Sequence, residues 1–392
     1  MNRSRTIMVC AAITLAFTVF ASASLRRAME HEPAIRLVEN VQAFDAFPIP
    51  GIYTADEVVD NEEVTSIEGE LHPIYRTTTN LRLRTEPSPE AEIIETIPQG
   101  TLLLVTGQPD EDWYSVYIGN NHGYMAAEFL DFVTFRPAGA PMYIAGSVTI
   151  MDADTGEVLY EDEQHTLRYP ASITKIMTAL LVLERVEDLS ELVTFSRIAV
   201  DLPSYAGHIG MQAGDSMTVL DALNALMIVS ANEVARALAE HVSGSVEAFA
   251  KEMNHKAASL GAVNTKFINP CGLPGKDQHT TSYDMALIMR EAIRHPVFTQ
   301  IIATTRADLP PVESRDSYRP MRNTNRMIHE DDPAFNKFVI GGKTGFTNDA
   351  QHTLVTYSDM DGRPVIISVL YVTQRGAIFT DTSALLEYMI SR

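Results

Sequence analysis

At 392 residues the chain exceeds what one hydrophobic core usually fills, roughly 250–300 residues, so more than one domain is expected. Its formal net charge of −21 excludes a nucleic-acid partner, which needs a basic surface to meet phosphate, and disfavours a polybasic membrane clamp. The hydrophobic content, 45%, is ordinary for a globular chain.

The N-terminus reads as a secretory signal over residues 1–23. Arg3 and Arg5 give a basic start, Thr6 to Phe20 is apolar, and Ala21-Ser22-Ala23 has the small-residue pattern of a cleavage site. The apolar run is short for a membrane span, which needs about 20 residues; an uncleaved anchor is the alternative reading. Cys10 lies inside this segment. That leaves Cys271 alone downstream, so no intramolecular disulfide is expected there. Residues 24–76 follow as an acidic flexible linker, with Asp56, Glu57, Asp60, Glu62, Glu63, Glu68 and Glu70 crowded together.

From 77 to 133 the pattern changes to short strands separated by turns. Asn80-Leu81-Arg82-Leu83-Arg84 alternates with period two, Pro98-Gln99-Gly100 is a turn, Trp113 to Ile118 is a strand, and Gly123-Tyr124-Met125 is a last short strand. Such spacing predicts a small β-barrel. The Asn-Leu-Arg-Leu-Arg strand, Gly100, Trp113-Tyr114-x-Val116 and Gly123-Tyr124 resemble a bacterial SH3 domain. The resemblance implies binding to wall peptides or wall polymer. Trp113 then belongs either to a ligand surface or to the packing of the barrel.

Residues 134–140 form a linker, and 140–392 have the size of one further domain. Tyr143 to Met151 and Glu157 to Glu161 predict a hairpin, and Ile176 to Val186 a buried helix. Thr218 caps a helix to about Val229, which Ser230-Ala231-Asn232 interrupts before helix resumes to His241. Val246 to Leu260 is helical, and Thr281-Ser282-Tyr283-Asp284 caps another helix that Pro296 is expected to end after Arg294. Residues 304–338 read as irregular. Leu354 to Tyr357 and Val365 to Val372 predict strands joined by a turn at Asp359 to Gly362, with a final helix capped by Asp381 or Thr382. Strands at both ends with helices between them predict an α/β domain built on an antiparallel sheet.

Ser172 and Lys175 stand three residues apart at the head of the buried helix, close to one turn, so hydroxyl and amine can meet. A serine is a poor nucleophile until a base takes its proton. A lysine is that base only when burial or a neighbouring cation keeps its amine neutral. Two further motifs follow in order: Ser230-x-Asn232 and Lys343-Thr344-Gly345. The three together resemble the motif set of penicillin-binding proteins and serine β-lactamases. In that setting Ser172 attacks a carbonyl and Lys175 takes its proton. Lys343 supplies the second cation that depresses Lys175, and Ser230 relays a proton to the leaving group. Asn232 reads a substrate amide, Lys343 and Thr344 grip a carboxylate, and Gly345 lets substrate lie against the strand. The backbone N–H groups of Ser172 and Phe346 form an oxyanion hole.

Longer stretches narrow the resemblance. They are Tyr-Pro-Ala-Ser-Ile-Thr-Lys-Ile-Met-Thr-Ala at 169–179, Ser-Ala-Asn-Glu-Val-Ala at 230–235, Phe-Ile-Asn-Pro-Cys-Gly-Leu-Pro at 267–274, Thr-Ser-Tyr-Asp-Met-Ala at 281–286, Asn-Thr-Asn at 323–325 and Gly-Gly-Lys-Thr-Gly-Phe-Thr at 341–347. Together they resemble the low-molecular-mass penicillin-binding proteins of the D-alanyl-D-alanine carboxypeptidase family. That resemblance implies a β-lactamase/DD-peptidase-like fold with helices flanking the sheet. It further implies removal of the terminal D-alanine from peptidoglycan stem peptides, and acylation by β-lactam antibiotics. The setting it implies is extracytoplasmic, secreted or wall-associated; as a departure from many relatives, a chain ending at Arg392 is expected to lack their C-terminal β-domain and anchoring helix.

This sequence departs from the family's pattern in places. Glu233 stands where Asp is usual, Cys271 where His is common, and Gln351 where Gly is frequent. Cys271 reads as a packing residue rather than a nucleophile. Phe346 narrows the site, and Arg375 is a further candidate for the substrate carboxylate. A serine β-lactamase would need a deacylating Glu-x-x-Leu-Asn loop, absent between 233 and 343. A D,D-endopeptidase or transpeptidase shares the same acyl-enzyme, and a non-catalytic wall-binding protein is the reading outside enzymes. The scattered histidines, with no His-Glu-x-x-His, give no metal site, and no cofactor is expected.

Overall fold

The computed structural model describes residues 71–391, apart from 119–120 and 138–139. The expected signal segment and nearly all of the acidic linker lie outside the described residues. The chain divides into two compact units between 138 and 139.

The first unit is a β-barrel-like sheet of seven strands. They are β1 (Leu71–Thr77), β2 (Leu81–Arg84), β3 (Ile93–Ile97), β4 (Leu102–Asp110), β5 (Trp113–Ile118), β6 (Asn121–Ala126) and β7 (Leu130–Pro137). Their order is β3-β2-β6-β5-β4-β1-β7. Alternation decides which side chains point inward: Leu81 and Leu83 are buried while Arg82 is exposed, and Leu103 and Val105 repeat the pattern. With Tyr75, Ile97, Val116, Met125 and Leu130 they fill the core. Trp113 is not part of that core and stays half-buried. The unit begins earlier than 77 and ends later than 133, because β1 pairs with both β4 and β7. No turn residue or clean alternation in Leu71 to Thr77 announces that strand.

The second unit is built on an antiparallel five-stranded sheet. Its strands are β8 (Ser147–Asp152), β9 (Val158–Asp162), β14 (Val339–Thr347), β15 (Gln351–Asp359) and β16 (Pro364–Val372), in the order β14-β15-β16-β8-β9. Two small hairpins add β10 (Leu192–Thr194) with β11 (Ser216–Thr218), and β12 (Arg306–Leu309) with β13 (Arg319–Arg322). Helices fill the middle of the chain: α1 (Lys175–Arg185), α2 (Arg197–Val200), α3 (Val219–Ile228), α4 (Asn232–Ser243), α5 (Val246–Ser259), α6 (Ser282–Ala292) and α7 (Pro296–Ala303). Helix α8 (Ala377–Ile390) closes the unit.

Period two sorts β16 between two cores. Ile366 and Leu370 join the larger core with α1 and α3 to α6. Val365, Ile367 and Val369 join a smaller one with Leu385 and Leu386 of α8. The sheet is therefore covered on both faces, which explains why β16 is apolar throughout. Helix α1 is buried from Lys175 to Val182, so it has almost no solvent face. Truncating Ile176 or Leu180 to Ala there would cost about 2–5 kcal/mol.

Two helix boundaries differ from expectation. Pro296 ends nothing: it opens α7 at a first-turn position, where its missing N–H is no loss. Helix α8 begins at Ala377, so Asp381 lies inside it, and its Oδ2 accepts from the Ile144 N–H (3.1 Å).

Candidate active site

Ser172 sits in a 3₁₀ turn, Ala171–Thr174, that leads straight into α1. Ala171 has φ of 51°, in the left-handed region that costs a non-glycine residue about 1–2 kcal/mol. The loop beneath leaves no slack, since a Cβ on Gly272 would lie 1.8 Å from the Ala171 carbonyl oxygen.

Lys175 is wholly buried, and its Nζ has three neighbours: Ser172 Oγ at 3.0 Å, Asn232 Oδ1 at 2.8 Å and the Cys271 carbonyl oxygen at 2.8 Å. The Asn232 amide is oriented from its other end, where Nδ2 donates to Gly207 O (2.8 Å). Two of the three neighbours are thus pure acceptors. A neutral amine has two hydrogens for them and one lone pair, which is left facing the Ser172 hydroxyl. Burial pushes the Lys175 amine down from 10.5 to about 8, against opposing contributions from Cys271 and then Glu233. Burial also raises the Cys271 thiol, so it carries no charge at neutral pH.

Lys343 is equally buried. Burial first, and the charge of Lys175 second, hold its amine well below the ordinary lysine value. The cause of the low Lys175 value therefore differs from the sequence reading: it is chiefly burial, not the charge of Lys343. Nor is the Lys343 amine presented to solvent, because it donates to Thr344 O (2.8 Å).

Asn232 also differs from expectation. Its carbonyl is taken by Lys175 and an amide hydrogen by Gly207, so in this state it positions Lys175, with one amide hydrogen left over. Ser230 connects α3 to α4 with φ of 64°, and its buried Oγ has no hydrogen-bond partner. Gly345 lies beside the nucleophile: a Cβ there would stand 2.4 Å from Thr353 Oγ1 and 2.9 Å from Ser172 N. The glycine is required by the protein's own packing as well as by any substrate. Phe346 is 53% exposed, its ring 4.6 Å from that of His352. Burial and then the exposed Arg375 guanidinium lower the His352 imidazole. Gln351, in place of the frequent glycine, has φ of 54°.

Sequence reasoning missed three contributors. The Cys271 carbonyl binds Lys175, and Asn269 fixes that carbonyl by accepting from the N–H groups of Cys271, Gly272 and Leu273 at 2.8–3.2 Å. The third, Thr324, has its hydroxyl 2.7 Å from that of Thr344. The stretches at 267–274 and 323–325 stood out by resemblance, but a backbone carbonyl has no residue type to read.

Residues 135–374 match the family described as D-alanyl-D-alanine carboxypeptidase, and 79–131 match the bacterial SH3 domain. The D-alanyl-D-alanine carboxypeptidase DacF of Bacillus subtilis is 36% identical over 231 residues, covering 58% of this chain and 57% of that protein. DacB2 of Mycobacterium tuberculosis, with the same activity in its name, is 33% identical over 260 residues, covering 64% and 84%. A D-alanyl-D-alanine endopeptidase of Escherichia coli is 32% identical over 252 residues, covering 63% and 78%. The chain thus spans less than two thirds of the first of these relatives. Among solved structures, a D-alanyl-D-alanine carboxypeptidase of M. tuberculosis has a TM-score of 0.59 at 30% identity, covering 66% of this chain and 96% of that one. A Streptomyces DD-transpeptidase has a TM-score of 0.60 at 28% identity, covering 64% and 99%.

Proposed function

This chain belongs to the D-alanyl-D-alanine carboxypeptidase family, and on that premise we propose that it removes the terminal D-alanine from peptidoglycan stem peptides through a Ser172 acyl-enzyme. The observation that carries this reading is the buried Lys175 amine, lowered to about 8 and 3.0 Å from Ser172 Oγ. Its two acceptor neighbours leave the lone pair for the serine.

In this proposal neutral Lys175 takes the Ser172 proton as Oγ attacks the carbonyl of the penultimate D-alanine. The C–N bond to the terminal D-alanine then breaks, and Ser230 passes a proton to the departing amine. Water next attacks the ester, releasing the shortened peptide and restoring the hydroxyl. The backbone N–H groups of Ser172 and Phe346 are the proposed oxyanion donors. Strand β14 ends its sheet, so a peptide can add to it as a further strand. Thr344 and Gly345 flank that edge, and Arg375 is an exposed cation nearby. A β-lactam would acylate Ser172 in the same way.

The domain reading is 1–23 as signal, an acidic linker ending near 70, an SH3-like wall-binding unit and a catalytic unit from about 140. It places the activity outside the cytoplasm. No helix among the described residues is long and apolar enough to cross a membrane. A second reading, cleavage of cross-links as a D,D-endopeptidase, is favoured by the similarity to the E. coli endopeptidase.

The test is D-alanine release from a pentapeptide ending in D-Ala-D-Ala, with Ser172→Ala as control and labelling by a fluorescent penicillin alongside. Absence of both release and labelling would sink the enzyme reading. Release only from cross-linked dimers would select the endopeptidase, and rapid penicillin turnover a β-lactamase. Loss of wall association on deleting 71–137 would support the barrel's binding role; unchanged association would remove it.

A further inference from the structure

We propose that Glu233 is a positioning residue for the base Lys175: its carboxylate anchors the segment at 207–210, and that segment holds Asn232 against the amine. The inference rests on the D,D-peptidase reading and adds to it the residue that follows the Ser230-x-Asn232 motif.

Residues 207–212 have no secondary structure of their own, so their backbone groups need partners from elsewhere. The first turn of α4 supplies them. Glu233 Oε1 accepts from the Ile209 and Gly210 N–H groups at 2.7 and 3.1 Å. Gly207 O accepts from the Asn232 N–H (3.1 Å) and from Asn232 Nδ2 (2.8 Å). From β13, Arg319 donates to Ile209 O. Two consecutive side chains of α4 therefore grip one short segment. An amide held by its nitrogen cannot turn over, so the bond to Gly207 O is what keeps Asn232 Oδ1 facing Lys175 Nζ at 2.8 Å.

Glu233 is 2% exposed, and its buried Oε2 has no hydrogen-bond partner. Burying a carboxylate with one oxygen unused costs stability, which its place in the first turn of α4 offsets only in part. The anchor also borders a cavity of about 190 Å³, together with His208, Gly210 and Met211. No packed group stands on that side to take over the two N–H groups.

The same carboxylate acts on Lys175 through space. Burial lowers the amine, and Cys271 and then Glu233 oppose that. Of the other groups around the base, the Cys271 thiol is raised by burial and uncharged at neutral pH, with Arg236 acting on it in turn, and Lys343 is a second buried amine. The negative charge that favours the protonated base is thus that of Glu233. Anchoring the segment with a carboxylate rather than a neutral acceptor keeps Lys175 more protonated at neutral pH.

The test measures penicillin acylation against pH in wild type, Glu233→Gln and Glu233→Met, and in the same three with Asn232→Ala added. Gln keeps the acceptor and drops the charge; Met fills a similar volume with neither. Glu233→Gln is expected to reach a plateau within about threefold of wild type, with its midpoint lower by about half a unit or more. Glu233→Met should lose about tenfold of the plateau relative to Gln. With Asn232 replaced, Gln and Met should agree within about twofold, because the anchor acts through Asn232. An unchanged midpoint in Glu233→Gln, a Met plateau equal to that of Gln, or a Gln–Met difference that survives without Asn232 overturns the proposal. The Lys175 titration, followed by NMR of isotope-labelled lysine, makes the charge comparison without turnover. Wild type inert to penicillin would sink the D,D-peptidase reading, and the titration would still decide this proposal: an amine that titrates alike in wild type, Gln and Met overturns it.

Discussion

Lys175 Nζ donates to the carbonyl oxygen of Cys271 across 2.8 Å, so the loop at 269–273 supplies one wall of the amine's cage through backbone alone. The cysteine side chain takes no part in that bond. Asn269 Oδ1 does, indirectly, by gathering the next three N–H groups that follow Pro270. Pro270 O in turn accepts from Thr178 Oγ1 of α1 (2.7 Å).

It follows that Cys271→Ser should acylate with penicillin at a rate within about threefold of wild type. Asn269→Ala should lose about tenfold or more, because three N–H groups are left without their acceptor and the carbonyl is released. Second-order acylation constants for the two variants check this. A larger loss in Cys271→Ser than in Asn269→Ala would show that the thiol, not the backbone, matters.

The acylation rate should rise with pH and level off above about 8. The reason is the sign of the Lys175 shift: burial lowers the amine from 10.5 to about 8, and only the neutral amine accepts a proton. At pH 7 roughly one molecule in ten holds it neutral. Penicillin acylation measured from pH 6 to 9.5 would show the midpoint. A flat profile, or one still climbing at 9.5, contradicts the lowered value.

Much of the fold was legible because it rests on period and punctuation. Val365 to Val372 reads as a strand and Ile176 to Val186 as a buried helix from apolar pattern alone, and Asp361 and Gly362 turn the last hairpin at φ of 55° and 88°. Misreadings fall where one residue type serves two local structures. Pro296 stops a helix or starts one, depending on which side of it the helix lies. The motif serines and lysines were legible by type, but not the state of their hydrogen bonds. That Lys343 is buried, that Asn232 is already occupied and that Ser230 is unbonded are consequences of packing between segments distant in sequence. Cys271 was legible only as a departure, since its contribution is a carbonyl that any residue has.

Gly272→Ala should be far more damaging than Gly244→Ala, although both glycines have positive φ, 83° and 76°. At Gly244 a new Cβ meets nothing within 4 Å, so the cost is the left-handed backbone alone, about 1–2 kcal/mol. At Gly272 the Cβ would lie 1.8 Å from Ala171 O and 2.8 Å from Thr174 Oγ1, and the turn carrying Ser172 must move. Gly272→Ala is expected to lower Tm by several degrees and to abolish penicillin labelling, with Gly244→Ala losing little of either. Thermal melts and gel fluorescence separate the two; equal behaviour would mean the loop yields without disturbing Ser172.

Lys175 should destabilise the folded protein at neutral pH, and the cost should disappear as pH rises. The folded amine sits at about 8 against 10.5 for the ordinary value. Between those limits the unfolded chain binds more protons than the folded one, so stability rises with pH. The difference corresponds to about 3 kcal/mol of unfavourable free energy, fully present below pH 8 and gone above 10.5. A Lys175→Met variant has no such titration. Groups remote from Lys175 titrate alike in both proteins and cancel to first order, whereas Lys343, which the Lys175 charge also lowers, adds a smaller contribution of its own. Urea unfolding at pH 7, 8.5 and 10 should therefore show wild type gaining on Lys175→Met by a few kcal/mol across the range. A constant difference would mean that the buried amine keeps an ordinary proton affinity. The base role assigned to Lys175 would then lose its physical support, whatever the activity of the wild-type protein.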